Sequence, residues 1–318
     1  MTGSTARPWR DAWQDALYGP DGFYRRPEGP AGHFTTSTQG PLGVVFAEAI
    51  ATLADREGCD LVVDVGAGRG ELLGQLAVLR PDLRLMGVDI VDRPADLPDA
   101  VDWLVSPGGP SLPAELKGLV GALVVAHEWL DVVPCTIAEV DRDDVLREVL
   151  VDSGGVESLG GPVTGWELDW VNRWWGDRGP GDRLEIGDTR DDAWEDLVGR
   201  VDQGTLVAID YAQAGHGGQS EDTFTAYRNG VQTAAVPDGS CDLTAHVMID
   251  SLVHDDAIHQ ADVLRRLGIR ATTPDHALSL ADPAAYLRGL IRASAVTELA
   301  DPRGLGAFVW AIVRVPGN

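Results

Sequence analysis

The sequence predicts an α/β protein built on a doubly wound, mostly parallel sheet. Short apolar runs at 61–65, 84–89, 101–105, 121–126 and 205–211 alternate with amphipathic segments, the pattern of repeated strand–helix units. The first run, Leu61-Val62-Val63-Asp64-Val65, passes straight into Gly66-Ala67-Gly68-Arg69-Gly70 before a helical pattern opens at Glu71. The second run ends in an acid, Asp89, about twenty residues beyond those glycines, where a strand-2 carboxylate takes ribose hydroxyls in open α/β sheets.

The elements follow in order. A short amphipathic helix ends at Tyr18, Gly19-Pro20-Asp21-Gly22 makes a turn, and 22–37 reads as an ordered loop rich in glycine, aromatics and hydroxyls. A helix with an apolar stripe spans 43–54. The run at 61–65 is apolar throughout, as a strand buried on both faces must be. Glycines after it permit positive φ and close approach of a ligand to bare backbone, and the helix 71–79 follows. Beyond Asp131 the alternation breaks. The runs at 135–140 and 145–151 form a hairpin, and Trp166, Trp170, Trp174 and Trp175 fall at helical spacing, either a packed face or a binding platform. The strand at 205–211 restores the sheet and a polar loop covers 214–222. A second hairpin turns at Asn229-Gly230. Segments 242–267 and 282–299 are expected to be helical, and 307–315 to close the sheet.

Composition narrows the function. At 318 residues the chain can bury a substantial core, in one large domain or two smaller ones. Its formal charge of −25, with Lys117 the only lysine, argues against nucleic acid and anionic membranes as partners. It suits a basic partner such as an arginine-bearing polypeptide, or reflects a general solubility bias. Cys59, Cys135 and Cys241 are scattered, without disulfide or zinc spacing. The seven histidines show no metal-ligand spacing. With no membrane-length apolar run and no secretory h-region, a cytoplasmic location is expected. A homodimer is left open.

The glycine spacing separates cofactors. A dinucleotide fingerprint needs Gly-x-Gly-x-x-Gly/Ala, but here the third glycine comes one residue early and Glu71 stands at the position that should be small. A carboxylate there would face a pyrophosphate, which disfavours a nicotinamide-dependent oxidoreductase. The Asp-x-Gly-x-Gly-x-Gly form resembles motif I of Rossmann-like, class I S-adenosyl-L-methionine methyltransferases, whose cofactor carries a sulfonium that tolerates nearby carboxylates. That resemblance assigns Asp64, Gly66, Gly68, Gly70 and Asp89 to cofactor binding.

Four blocks extend the resemblance to the MidA-like S-adenosylmethionine methyltransferase family, whose mitochondrial member methylates an arginine of a respiratory complex I subunit. Gly22-Phe23-Tyr24 with Gly32-His33-Phe34-Thr35-Thr36 is similar to the family's Gly-Tyr-Tyr and Gly-Asp-Phe-x-Thr segment, and brings Thr36 to the cofactor. The glycine corner is the second block. His127-Glu128-Trp129-Leu130-Asp131-Val132-Val133-Pro134 resembles Asn-Glu-Phe-x-Asp-Ala-x-Pro. Ile209-Asp210-Tyr211 with Asp242-Leu243-Thr244-Ala245-His246-Val247 resembles Asp-Tyr-Gly and Asp-x-Thr-x-His-Val. His127, His33 and Ala212 depart from the expected Asn, Asp and Gly, and Ser37-Thr38-Gln39 replace the usual Pro-Glu. These departures surround the expected pocket, so the acceptor can differ while the cofactor does not.

The resemblance implies residues 1–57 as a helical and loop segment closing over the site. It makes 58–318 the methyltransferase domain, with a substrate-side insertion at about 141–200. Glu128 and Asp131 lie beyond the carboxyl end of a buried strand, where carboxylates can orient a guanidinium. Alternatively they cap the turn before Pro134. His127 is a candidate general base for a hydroxyl or carboxyl acceptor. Asp210, Tyr211, Asp242 and His246 are candidate substrate residues, the last two also readable as a helix-bracing i, i+4 pair. The leading acceptor is a protein arginine. A small molecule or peptide of a biosynthetic pathway is the alternative, and a non-catalytic assembly factor keeping the fold is a third reading.

Overall fold

The computed structural model describes residues 6–26, 37–212 and 223–317. Its centre is a seven-stranded sheet. In chain order its strands are β1 (Leu61–Val65), β2 (Arg84–Asp89), β3 (Val101–Val105), β4 (Leu119–His127), β5 (Val201–Asp210), β6 (Asp256–His259) and β7 (Val309–Val315). Across the sheet they run β3-β2-β1-β4-β5-β7-β6. The first five are parallel, and β7 is antiparallel to both β5 and β6. The order reverses between β1 and β4, which opens a crevice at the carboxyl ends of those strands.

Burial on both faces explains why β1 and β4 read as continuous apolar runs. Val62 and Leu123 pack with helices Gly40–Glu57, Glu71–Leu79, Gln260–Leu267 and Pro283–Leu299, whereas Val63 and Val124 face Trp194 and Leu197 of helix Asp188–Val198. Helix ends carry their own signals. Gly40–Glu57 has a proline in its first turn and stops at left-handed Gly58, and the Asp282 carboxylate accepts the Ala285 N–H at 2.9 Å to start Pro283–Leu299.

Over the carboxyl end of the sheet sits a second layer. Strands Thr136–Val140, Leu146–Val151, Glu157–Pro162 and Arg183–Ile186 make an antiparallel sheet that Arg7–Pro8 joins at one edge. A three-stranded sheet of Thr225–Arg228, Val231–Thr233 and Asp242–Thr244 stands beside it. Helix Trp9–Tyr18 fills the space between them. Trp13 is fully buried and donates its indole N–H to the Leu243 carbonyl at 3.1 Å, while the Tyr18 hydroxyl reaches the Val132 carbonyl at 3.0 Å.

One expected helix is corrected. Segment 242–267 contains strand Asp242–Thr244, the one-turn Ile249–Ser251, strand β6 and only then helix Gln260–Leu267. Pairing of Asp242–Thr244 with Thr225–Tyr227, and of β6 with β7, overrides the local helical pattern. Both expected hairpins are present, the second turning at Asn229 and Gly230 in left-handed conformation. Of the tryptophans, Trp170 and Trp175 are buried in a core cluster and Trp166 is exposed. Among the described residues, no helix is long and apolar enough to cross a membrane.

Gly87 in β2 has no room for a side chain, because a Cβ would run into the Trp103 ring and come within 3.0 Å of Leu73. Gly87→Ala is therefore expected to destabilise the protein by about 1–3 kcal/mol through overpacking, measured by urea unfolding.

Candidate active site

A cavity of about 830 Å³ opens at the crevice between β1 and β4. One side of it is the glycine corner after β1. Gly66, Gly68 and Gly70 have φ of 75°, 57° and 74°, a conformation that L side chains rarely adopt. Gly70 caps helix Glu71–Leu79 and does not line the cavity; a Cβ there would meet Leu97 Cδ1 at 2.7 Å. At Gly66 the side-chain direction is closed by Trp129 at 3.4 Å. The Gly68 N–H donates to Asp89 Oδ2 at 2.8 Å and the Val91 N–H to Oδ1 at 3.2 Å, tying the corner to the end of β2.

The acids here are taken out of water. Burial lifts the Asp64 carboxyl to about 8, helped by Asp89 and Glu71 nearby. Burial raises Asp89 to about 6 against the pull of its backbone amide donors.

Beside the glycine corner in the cavity stands the turn after β4. His127 ends the strand between the rings of Phe46 and Phe308, at 4.9 and 5.6 Å. Desolvation lowers it to about 3, so the imidazole is neutral. Glu128 takes φ of 51°, a costly conformation for a residue with a Cβ, and outliers of this kind cluster at functional sites. Its Oε1 is buried without a hydrogen-bond partner, and His127 Nε2 lies 3.4 Å away. Burial, with Asp131 and Asp242 adding to it, raises Glu128 to about 8.

Asp131 accepts from the Thr244 hydroxyl at 2.8 Å. Its other carboxyl oxygen, like Asp210 Oδ1, meets no N–H or hydroxyl donor. The two carboxyls face one another and bond only when one is protonated. Burial raises Asp131, and raises Asp210 strongly. Asp210 has no exposed surface and holds the Leu130 N–H at 3.2 Å, so it stands behind the wall rather than in it. Asp242 accepts from the Tyr24 hydroxyl at 2.7 Å and is raised to about 7, first by burial. It lies on a strand rather than a helix, so the Asp242/His246 pair is not an i, i+4 helical brace. The His246 ring stacks on Tyr211 at 5.7 Å, and burial lowers its pKa.

The fold thus brings Asp64, Gly66, Gly68, Asp89, His127, Glu128, Asp131, Tyr211, Asp242 and His246 to one cavity. Thr36, and His33 with it, lie outside the described residues. Tyr18 and Tyr24 were not foreseen as lining residues, although Tyr24 belongs to the Gly-Phe-Tyr block that signals them. Eight carboxyls but only three guanidiniums line the cavity among the described residues, an arrangement suited to cationic ligands.

A reversing parallel sheet of this order, with a glycine corner after β1 and an acid closing β2, is a Rossmann-like frame for a nucleoside cofactor. Residues 42–267 match the family model described as "Putative S-adenosyl-L-methionine-dependent methyltransferase". The chain belongs to that family, as a MidA-like methyltransferase, and its cofactor is S-adenosyl-L-methionine. A Burkholderia thailandensis protein solved bound to S-adenosyl-homocysteine is similar at 21% identity and TM-score 0.74, over 97% of this chain and 88% of that one. A native structure, also from Burkholderia thailandensis, gives 21% identity and TM-score 0.70, over 97% and 87%. At that identity both show the shared fold. No curated protein matches the chain.

The corner fits this cofactor on its own geometry. The Gly68 position is open but for Glu71 Oε2 at 3.4 Å, so a side chain there would project where backbone must be approached. Gly68→Val is expected to abolish the thermal shift that S-adenosyl-homocysteine gives the wild type, a stabilisation of about 2.7 kcal/mol at a hundredfold excess over Kd. Differential scanning fluorimetry with and without the ligand checks this.

Proposed function

We propose that the chain methylates an arginine side chain of a protein, with Glu128 and Asp131 orienting the acceptor. The observation that carries the reading is the buried carboxyl wall after β4, where Glu128 Oε1 lacks a donor and Asp131 lines the same cavity. A guanidinium presents a planar fork of N–H donors that pairs with carboxylates. On the cofactor side we assign the ribose hydroxyls to Asp89 and the close backbone approach to Gly66 and Gly68. Tyr18 and Tyr24, from the 1–57 segment, close one side.

S-adenosyl-L-methionine supplies, when bound, an electrophilic methyl group on a sulfonium. The chain's task is then to align a guanidinium nitrogen with it and to take the N–H proton released as the new N–C bond forms. Glu128 suits both steps. Its raised pKa makes the carboxylate a competent base near neutral pH, and an arriving cation favours its ionised form. His127, neutral and desolvated, is a weak base, and we assign it to packing behind Glu128. A small-molecule or peptide acceptor is the second reading, favoured by His127 and Ala212 standing where the family pattern has Asn and Gly.

Transfer of labelled methyl to an arginine-containing peptide, against a low-mass lysate fraction, tests the acceptor. Label found only in the low-mass fraction would reject the arginine reading. Glu128→Gln is expected to lower kcat/KM by about 10²–10³-fold, as removal of a transition-state partner does, while leaving S-adenosyl-homocysteine binding intact. The pH dependence follows from the sign of the shift. Below about 8 the Glu128 carboxyl is protonated in the free enzyme, so kcat/KM for a cationic acceptor should rise with pH and level off above about 8. A profile flat from pH 6 to 9 would remove Glu128 from this role.

A further inference from the structure

Arg190 is buried, with 1% of its surface exposed, near the start of helix Asp188–Val198. Its guanidinium reaches two separate segments. Nε donates to the Val133 carbonyl at 3.0 Å and Nη2 to the Asp131 carbonyl at 2.8 Å. Nη1 donates to the Ala245 and His246 carbonyls at 3.2 and 2.7 Å. The neighbouring Thr189 hydroxyl holds the Pro134 carbonyl at 2.7 Å, and the Trp13 ring lies 5.6 Å from the guanidinium carbon.

We propose that Arg190 is a positioning residue whose buried guanidinium clamps the turn carrying Asp131 to the segment carrying Thr244 and His246, and so fixes the acceptor wall of the cavity. The proposal rests on reading that wall as the acceptor side. Each clamped segment supplies part of the wall, and the Thr244–Asp131 hydrogen bond spans the junction the guanidinium holds. An apolar side chain of the same size would leave four carbonyls, three of them buried, without these donors. A lysine keeps the charge but is a point donor, and cannot serve both segments with a rigid fork.

The clamp also has an electrostatic effect. Facing Asp131 are Glu128 of the same turn, Asp210 at the end of β5, Asp242 and His246 of the clamped segment, and Tyr18 and Tyr24 of the N-terminal segment. Amid these groups the Arg190 charge draws both Asp131 and Asp210 downward, against the burial that raises them.

The test compares Arg190→Gln and Arg190→Lys in the full chain. Carboxyl titration is followed by infrared difference spectroscopy, with Asp210→Asn assigning the Asp131–Asp210 band. Methyl transfer to an arginine-containing peptide and the S-adenosyl-homocysteine thermal shift are measured alongside. Arg190→Gln is expected to keep the thermal shift, move the carboxyl midpoint up by about one pH unit and lower transfer by about 10²-fold, the cost of an ångström-scale misplacement. Arg190→Lys should hold the midpoint and still lose roughly ten-fold in transfer, because charge survives and the fork does not. An unchanged midpoint in Arg190→Gln, or wild-type transfer in Arg190→Lys, overturns the proposal. Should Arg190→Gln fail to fold, Arg190→Lys decides alone: a held midpoint with reduced transfer supports the clamp, wild-type transfer refutes it. A wild type that labels no arginine peptide ends the acceptor reading, while the infrared arm still decides the clamp.

Discussion

Desolvation of carboxyl groups at the carboxyl ends of β1, β2, β4 and β5 is the constraint on which the rest of the site depends. Asp64, Asp89, Glu128, Asp131, Asp210 and Asp242 are all raised, with burial the first cause in each. Such groups reach a stable state in one of two ways, by holding a proton or by meeting a cation. Among the described residues the nearby buried cation is Arg190, and its hydrogen bonds go to carbonyls. The carboxyls are therefore tuned toward protonation and toward positive ligands together. A water-filled cleft with the same residues would bind cations far less strongly, because the attraction scales inversely with the local dielectric.

The fold creates this constraint economically. The strand order reverses between β1 and β4, so the two strand ends diverge and leave a crevice that no helix fills. The second layer then roofs the crevice. Trp13 and Tyr18 of the first helix bond to Leu243 and Val132, and Arg190 joins the 131–133 turn to the 245–246 segment. These links couple distant parts of the chain through backbone carbonyls, which no substitution of the partner side chain can remove. Roof and floor are held in register by a few side chains whose donors are buried.

Much of the floor was legible in the sequence, and the reason is physical. Strands β1, β2 and β3 and the helix Glu71–Leu79 fall on the expected residues, because short apolar runs, buried throughout in β1, and a glycine corner leave little ambiguity. The beginning of β5 lies outside the expected run because exposed, polar Asp202 and Gln203 interrupt the apolar pattern, and β4 starts two residues early at Leu119 and Val120, ahead of Gly121. Segment 242–267 was misread because its strands exist only through pairing with Thr225–Tyr227 and β7, information that local periodicity does not carry. At the site, the cofactor corner and the Glu128–Asp131 turn were visible as motifs. Asp210 was visible too, but its place behind the wall was not, since strand-end position says nothing about depth. Arg190 had no sequence signal at all. An arginine in an acidic helix reads as a solvated residue until the carbonyls it serves are in place.

Charge balance gives the acid excess a meaning beyond acceptor choice. Two unit positive charges about 4 Å apart repel by about 4 kcal/mol at an effective dielectric near 20, and a sulfonium donor facing a guanidinium acceptor is such a pair. A neutral acceptor would need acids only on the cofactor side, at Asp64 and Asp89. This cavity carries a second group, Glu128 and Asp131 in the turn after β4 and Asp242 on the strand Asp242–Thr244. On the proposed arginine reading, both partners arrive positive and one proton leaves, which calls for acids beyond those of the glycine corner.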